Sequence, residues 1–349
     1  MVGVNAFIFT VTILHSMGID AFGLHTNMQP KQYYLYVSTI GNINMLVGYL
    51  CLIMPLLVCF FIESKTRESR VIYLIILTLG ELNMILSASD GLYLGIGVCA
   101  FFAIPYLFHS KESTIKTALL LLIYGLSLML VALCPCFAGK RVKITGISAV
   151  FLKPSVFISI VLIAAAGVIM LSMISEDRFK RISGRMIILL ESILGAVSVV
   201  FIVRTIQTFD ASWGTHRGGI WTWLIGVYWN LDFTQKFFGV GPELLGPYLE
   251  GLQWGANERV LSAHSEPLQI LMTTGIAGLI SWVTIWFGLI KRFFKRRLWK
   301  SSAMPYFLPL MAYLGQCLVN TPMATNFGIL VVVISLFVYN SDIGLKYIK

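Results

Sequence analysis

The sequence predicts an all-α fold, a polytopic integral membrane protein. Composition is the first sign: 57% of the 349 residues are hydrophobic and only 12% are charged. That is about half the charge fraction of a soluble domain. Mean hydropathy of +0.83 is the second. The third is periodic: apolar runs of roughly 17–24 residues recur along the whole chain, each long enough to cross a bilayer. Inside lipid the backbone must satisfy its own hydrogen bonds, so these runs are helices. A barrel would show alternating strands of about ten residues, and none is legible.

About ten spans follow from the hydropathy, at roughly 2–18, 44–62, 71–87, 91–108, 117–134, 155–174, 186–203, 267–290, 305–320 and 327–340. The first lacks a basic leader and a small-residue cleavage site, so it reads as a span and not a signal peptide. The whole chain, 1–349, reads as one transmembrane domain, with residues 204–266 as a large extracytoplasmic loop within it.

Charge sets the orientation. With the N-terminus inside, the inner loops hold Lys65, Arg67, Arg70, Lys111, Lys116, Arg178, Lys180, Arg181, Arg185, the cluster "KRFFKRRLWK" at 291–300, Lys346 and Lys349. These are most of the 26 Lys and Arg, placed in the shorter loops, so both chain ends are expected in the cytoplasm. The net charge of +10 is therefore topological. Basic residues scattered among helix ends make no surface for a duplex, which excludes nucleic acid as a partner. The 291–300 cluster suits anionic lipid headgroups instead.

Cysteine adds little. Cys51, Cys59, Cys99 and Cys317 fall inside spans, where thiols behave as small apolar groups. Cys134 and Cys136 stand in "CPC", too close for an ordinary disulfide, with no His or carboxylate nearby to complete a metal site. Two carboxylates, Glu81 and Glu191, lie inside spans. They suit either a proton or ion pathway or a buried hydrogen bond that fixes helix packing.

The loop 204–266 is long for a compact membrane protein, and long loops carry function. It holds Trp213, Trp221, Trp223, Trp229 and Trp254, five of the eight Trp, together with His216 and His264. Residues 220–231 are apolar but too short to span, which suits an interfacial or re-entrant helix. Thr215 or His216 would cap it. Arg217 would then stand at a helix N-terminus, the wrong end for a cation but a strong place to hold an anion. The plainer reading has Arg217 reaching lipid phosphate. Gly239, Gly241, Pro242, Gly246 and Pro247 make tight turns that can bring backbone amides near a ligand, or simply connect.

Pro267 fits the first turn of the next helix, with Ser265 or Glu266 as its cap. His264 then lies at the outer mouth of that helix. The helix N-terminus disfavours imidazolium, so the ring is expected to be neutral and able to accept a proton. A juxtamembrane histidine without a role is the alternative. "TTGIAG" after it supplies small residues for close helix contact.

Three stretches together resemble the O-antigen ligase and O-antigen polymerase family. "STIGNINMLVGYLCLIMPLL" (38–57) is similar to its Gly-Asn-x-Asn element. "HRGGIWTWLIGVYWNLDFTQKFFGVGPELL" is similar to its Arg-Gly…Trp…Gly-x-Gly-Pro element. "AHSEPLQILMTTGIAGLI" is similar to its His-Asn/Ser-x-x-Leu-Gln-x-Leu…Gly element. They occur in family order and cover residues 38–290. The resemblance implies a helical membrane enzyme related to GT-C glycosyltransferases. It would transfer a glycan from undecaprenyl diphosphate to a glycan or lipid acceptor at the outer face of the cytoplasmic membrane. It implies His264 as general base and Arg217 as the grip on the leaving phosphate. Arg204, Trp221, Gly239, Gly241 and Glu266 would line the substrate. No cofactor is implied, and with no Asp-x-Asp motif in an outer loop no metal is expected.

The chain departs from the family twice. "SASDG" (87–91) carries Asp90 where members have Arg, and a single span precedes the Gly-Asn-x-Asn element where members usually have several. The second departure implies an N-terminal truncation. The competing readings are a transporter or flippase for an anionic solute, which would depend on Glu81 and Glu191, and an inactive paralogue.

The orientation is testable by labelling. Single cysteines at position 212 or 255, in a Cys-less background, should react with an impermeant thiol reagent from outside, and cysteines at 66 or 298 should not. The opposite pattern would invert the topology.

Overall fold

The structure is a computed structural model that describes residues 2–29, 32–33, 36–137, 146–242, 244–250, 253–254, 258–260, 262–321 and 324–346. It is helical almost throughout. In chain order, α1 (Val2–Ser16) leads to a two-residue strand pair, β1 (Tyr36–Val37) and β2 (Gly41–Asn42). Then come α2 (Ile43–Glu63), α3 (Arg67–Leu86), α4 (Asp90–Leu107), α5 (Lys111–Leu133), α6 (Gly146–Phe151), α7 (Pro154–Met173) and α8 (Glu176–Thr208). The 204–266 segment contributes α9 (Trp213–Asn230), α10 (Phe233–Phe238), α11 (Leu245–Leu249) and the pair β3 (Gln253–Trp254) and β4 (Glu258–Arg259). α12 (Glu266–Arg296), α13 (Met304–Cys317) and α14 (Ala324–Lys346) complete the chain.

Among the described residues, eight helices are long and apolar enough to cross a membrane: α2, α3, α4, α5, α7, α8, α12 and α14. The sequence suggested ten. The two that fall short are α1, with 15 residues, and α13, with 14; a straight span needs about 20.

The chain divides into two compact units. The first comprises residues 1–191, 299–316 and 325–349; the second comprises 192–298 and 317–324.

In the first unit α2 is the core helix, burying Leu46, Leu50, Leu57 and Phe61 among others. It packs on α3 and α4, and α5 packs along α7. Helix starts are capped by the residues the sequence offers. The Asn42 side chain accepts the Asn44 amide at 2.8 Å, so the Gly-Asn-x-Asn stretch serves here as an N-cap. Thr66 and Ser110 cap α3 and α5 in the same way. Asp90 opens α4 and accepts the Ile147 amide at 2.7 Å, which ties down the start of α6.

Buried polar groups tie helices together. Asn83 Nδ2 donates to the Phe9 carbonyl at 3.0 Å. Lys116, expected in an inner loop, is buried, and its Nζ donates to the carbonyls of Ile62 and Ser64 at 2.8 and 2.9 Å. It thereby satisfies orphan carbonyls at the end of α2. Glu112 joins both Lys116 and Arg70. Glu81 is also buried, yet its Oε2 makes no hydrogen bond among the described residues. Glu191 is only half-buried on α8.

Candidate functional site

The second unit gathers the two residues on which the sequence reading centred. α9 carries the first. It starts at Trp213 with Ser212 in the cap position, and its opening turn is irregular, with φ of +60° at Gly214 and +72° at His216. The cap expected at Thr215 or His216 is thus displaced to Ser212, and Arg217 is the fifth residue of the helix. The segment before the helix folds back on it. Asp210 Oδ1 accepts both the amide and the hydroxyl of Ser212, at 2.8 and 2.6 Å. These bonds hold the Asp210 carboxyl below its usual range. The Gly219 amide reaches the Ala211 carbonyl at 3.1 Å. A Cβ on Gly218 would lie 1.9 Å from the Asp210 carbonyl oxygen, so the Gly-Gly pair after Arg217 is what admits this close return.

α12 carries the rest, and it is not one straight span. Gly275 has φ +69° and ψ −169°, a conformation open to glycine alone, and it breaks the helix. The break frees the carbonyls of Met272 and Thr273, which accept the amides of Val240 and Gly241 at 2.9 and 3.0 Å. Gly239 makes room: a Cβ there would lie 2.2 Å from the Thr273 carbonyl carbon, and one on Gly275 would lie 2.2 Å from the Phe237 oxygen. Gly239 donates its own amide to the Gln235 carbonyl at 2.7 Å. The two glycines expected to offer amides to a ligand therefore hold the bend instead. Within "TTGIAG", Thr273 and Gly275 meet the 237–241 backbone at the end of α10.

The bend is sharp. The Trp282 indole donates to Glu266 Oε1 at 2.7 Å across 16 residues of the same helix. In a straight helix those residues would be about 24 Å apart. Residues 266–274 thus form a short helix folded against 276–296, which alone has a span's length. Glu266 is buried and holds this fold, so the structure does not present it as a substrate ligand. Ser265 occupies the cap position but its side chain makes no capping bond.

Gln269 ties the preceding loop to the start of α12. Its Oε1 accepts the Ala263 amide at 2.9 Å, while its own amide donates to the Ser265 carbonyl at 2.8 Å. The Ala263 carbonyl accepts the Trp221 indole N–H at 3.0 Å. Ala263 is fully buried and held on both sides. Trp221 packs on Trp213 with ring centroids 5.2 Å apart, and it positions the loop with its N–H.

His264 follows this clamp. Its backbone is left-handed, φ +47°, which costs about 1–3 kcal/mol and recurs at functional sites. Its Nδ1 is buried and makes no hydrogen bond among the described residues. Burial, and next the Arg217 charge, push its pKa down to about 4. The ring is neutral, as expected from the sequence, but the cause is burial and Arg217 rather than the helix end.

Arg217 donates from Nη2 to Asn320 Oδ1 at 3.1 Å. Thr321 Oγ1 donates to Ser262 Oγ at 2.9 Å, joining the chain after α13 to the loop before His264. Asn320, Thr321, Ser262 and Gln269 were not singled out from the sequence; an Asn-Thr-Pro directly after an apolar run was the available signal. Arg204 stays apart. It is exposed on the last turns of α8 and makes no ion pair among the described residues. On the other side of α9 lies an open groove of about 810 Å³, lined by Phe209, Asp210, Thr222, Trp223, Asn230 and Tyr248 among others.

The site thus combines a cation held by Asn320 with an imidazole whose pKa that charge helps to lower, an arrangement able to hold an anion and accept a proton. No family model matches the chain, and no curated protein matches it.

The depressed His264 pKa has a thermodynamic consequence. Between about pH 6.5 and 4 the unfolded state binds a proton that the folded ring refuses. The stabilising contribution is fully present above pH 6.5 and is lost as pH falls towards 4. Thermal melts in detergent should show a loss of stability over that window that is smaller in His264→Gln. Parallel pH profiles in the two proteins would contradict the assignment.

Proposed function

We propose that the chain is a membrane glycosyltransferase of the O-antigen ligase and polymerase type, related to GT-C enzymes. It moves a glycan from undecaprenyl diphosphate to a glycan or lipid acceptor at the outer face of the cytoplasmic membrane. The observation that supports this best is a half-buried His264, its Nδ1 buried and unbonded among the described residues, whose pKa burial and the Arg217 charge lower to about 4. In the reaction the acceptor hydroxyl oxygen bonds to the anomeric carbon as the bond to the lipid diphosphate breaks. The hydroxyl proton passes to His264. Negative charge builds on the departing diphosphate, where the planar fork of Arg217 stabilises it. The groove beside α9, with the faces of Trp223 and Tyr248, suits a stretch of glycan.

An imidazole with a pKa near 4 is a weak base in the resting protein. A bound diphosphate offsets the Arg217 charge, and the His264 pKa rises when the donor is in place. Basicity then appears only with substrate.

A transporter or flippase for an anionic solute is the second reading. It draws on Glu81, whose buried Oε2 lacks a hydrogen bond. In that case Glu81→Gln would abolish function and the Arg217 site would be replaceable.

Transfer assays with a lipid-diphosphate glycan separate the readings. His264→Ala should lose about 10²–10⁴-fold in transfer while keeping donor affinity. Arg217→Lys should rescue poorly, because charge without the fork is not enough. The acidic limb of kcat should lie at higher pH than that of kcat/KM, since only the former reports the donor complex. Proportional loss of binding and transfer in His264→Ala would make that residue a phosphate ligand. Normal transfer in Arg217→Ala would remove the enzyme reading.

A further inference from the structure

In the first unit, "HSMGIDAFGLH" (15–25) brings three donor groups together that the functional reading leaves unused. His15 lies in the last turn of α1, and the chain turns at Gly18, φ +88°. Asp20 then closes the next turn on itself: Oδ1 accepts the Leu24 amide at 2.9 Å and Oδ2 accepts the His25 amide at 2.8 Å. These bonds bring His25 back over His15, with ring centroids 4.5 Å apart. His15 Nε2 is 3.4 Å from Asp20 Oδ1. One donor atom from each of the three residues lies within 4.8 Å of the others. Both histidines are buried and Asp20 is half-buried.

We propose that His15, Asp20 and His25 form a binding site for a borderline divalent transition ion, Zn²⁺ before all others. Two imidazoles and a carboxylate are a zinc donor set, and a hard ion such as Mg²⁺ prefers oxygen ligands. Tetrahedral zinc with bonds of about 2.0–2.1 Å separates its ligands by roughly 3.3–3.4 Å. The His15–Asp20 pair already has that spacing, at 3.4 Å. The other separations close by a small movement of one turn. The Asp20 amide bonds then orient the carboxylate as outer partners of the metal. A fourth position remains for water. The ion joins the end of α1, a helix too short to span by itself, to the turn that follows.

Proton placement makes the proposal specific. His15 Nδ1 accepts the Ser38 amide at 3.1 Å, so without metal the ring proton sits on Nε2, facing Asp20. Zinc at Nε2 moves that proton to Nδ1, with no net release from the ring. Nδ1–H then needs an acceptor. Ser38 stands at φ +70°, unusual for a residue with a side chain. Turning over the Val37–Ser38 peptide returns it to negative φ and presents the Val37 carbonyl to His15. One hydrogen bond is exchanged for another.

The test uses the full-length protein in detergent, in a Cys134→Ser/Cys136→Ser background to remove thiol binding. After chelator treatment and reloading with zinc alone, gel filtration followed by metal analysis should find about one ion per chain. Competition against a chromophoric chelator should show affinity about tenfold or more weaker in His25→Gln and Asp20→Asn. Excess Mg²⁺ should not compete. Zinc should also raise the melting temperature of the background protein but not of the variants. Equal zinc retention by the background and both variants would overturn the site. So would the absence of retained zinc and of any zinc-dependent melting shift in the background protein, a result that needs no variant to fold.

Discussion

The break of α12 at Gly275 is the constraint on which the second unit depends. A backbone in an apolar setting cannot leave carbonyls unpaired. Breaking the helix frees those of Met272 and Thr273, and the amides of Val240 and Gly241 must come to meet them. That requirement pulls the 237–241 segment against the helix and demands glycine at 239 and 275, where any side chain would collide with backbone. The same bend lets Trp282 reach Glu266 and sets the short 266–274 helix at a fixed angle. Gln269 on that helix, with Trp221 on α9, holds Ala263 from both sides. His264 is the next residue. Its exposure to the Arg217 charge is thus the last step of a chain of backbone satisfaction that begins with one glycine.

Much of the fold was legible because it rests on composition. Eight long apolar helices follow from runs of hydrophobic residues that have no other stable state in lipid. The two runs read as spans that form shorter helices, α1 and α13, carry polar groups at their ends: His15 and Ser16 in the last turn of one, Gln316 in the last turn of the other and Asn320 just beyond it. A sliding hydropathy average passes over such ends. A short helix through 220–230 was legible from the local pattern, but its start at Trp213, ahead of Arg217, was not. The bend in α12 was not, because Gly275 sits among small residues where a straight, closely packed helix reads equally well. The backbone amides of Gly239 and Gly241, the Trp221 indole and the Glu266 carboxylate are engaged by protein partners that the local sequence does not reveal. Whether an amide or an indole N–H meets a ligand or the protein depends on partners that are distant in sequence.

The polar groups of the first unit follow a related logic. Lys116 closes the end of α2 by donating to two carbonyls, Asn83 joins α3 to α1, and Asp90 restrains α6. Lys116 and Asp90 answer backbone groups at helix ends, and Asn83 adds a bond to a carbonyl within α1. His15, Asp20 and His25 are different. Their side chains converge on one another, and five-residue spacings across a turn give no periodic sign of it in the sequence.

The shared environment of Arg217 and His264 is open to direct measurement without any assumption about activity. NMR titration of histidine-labelled protein in detergent, with the His264 signal assigned by its loss in His264→Gln, gives the pKa of that ring. The expected value lies well below the ordinary 6.5, near the 4 set by burial and Arg217, and it should rise in Arg217→Met. A His264 that titrates at its ordinary value, unmoved by Arg217→Met, would contradict the pairing on which the site is built.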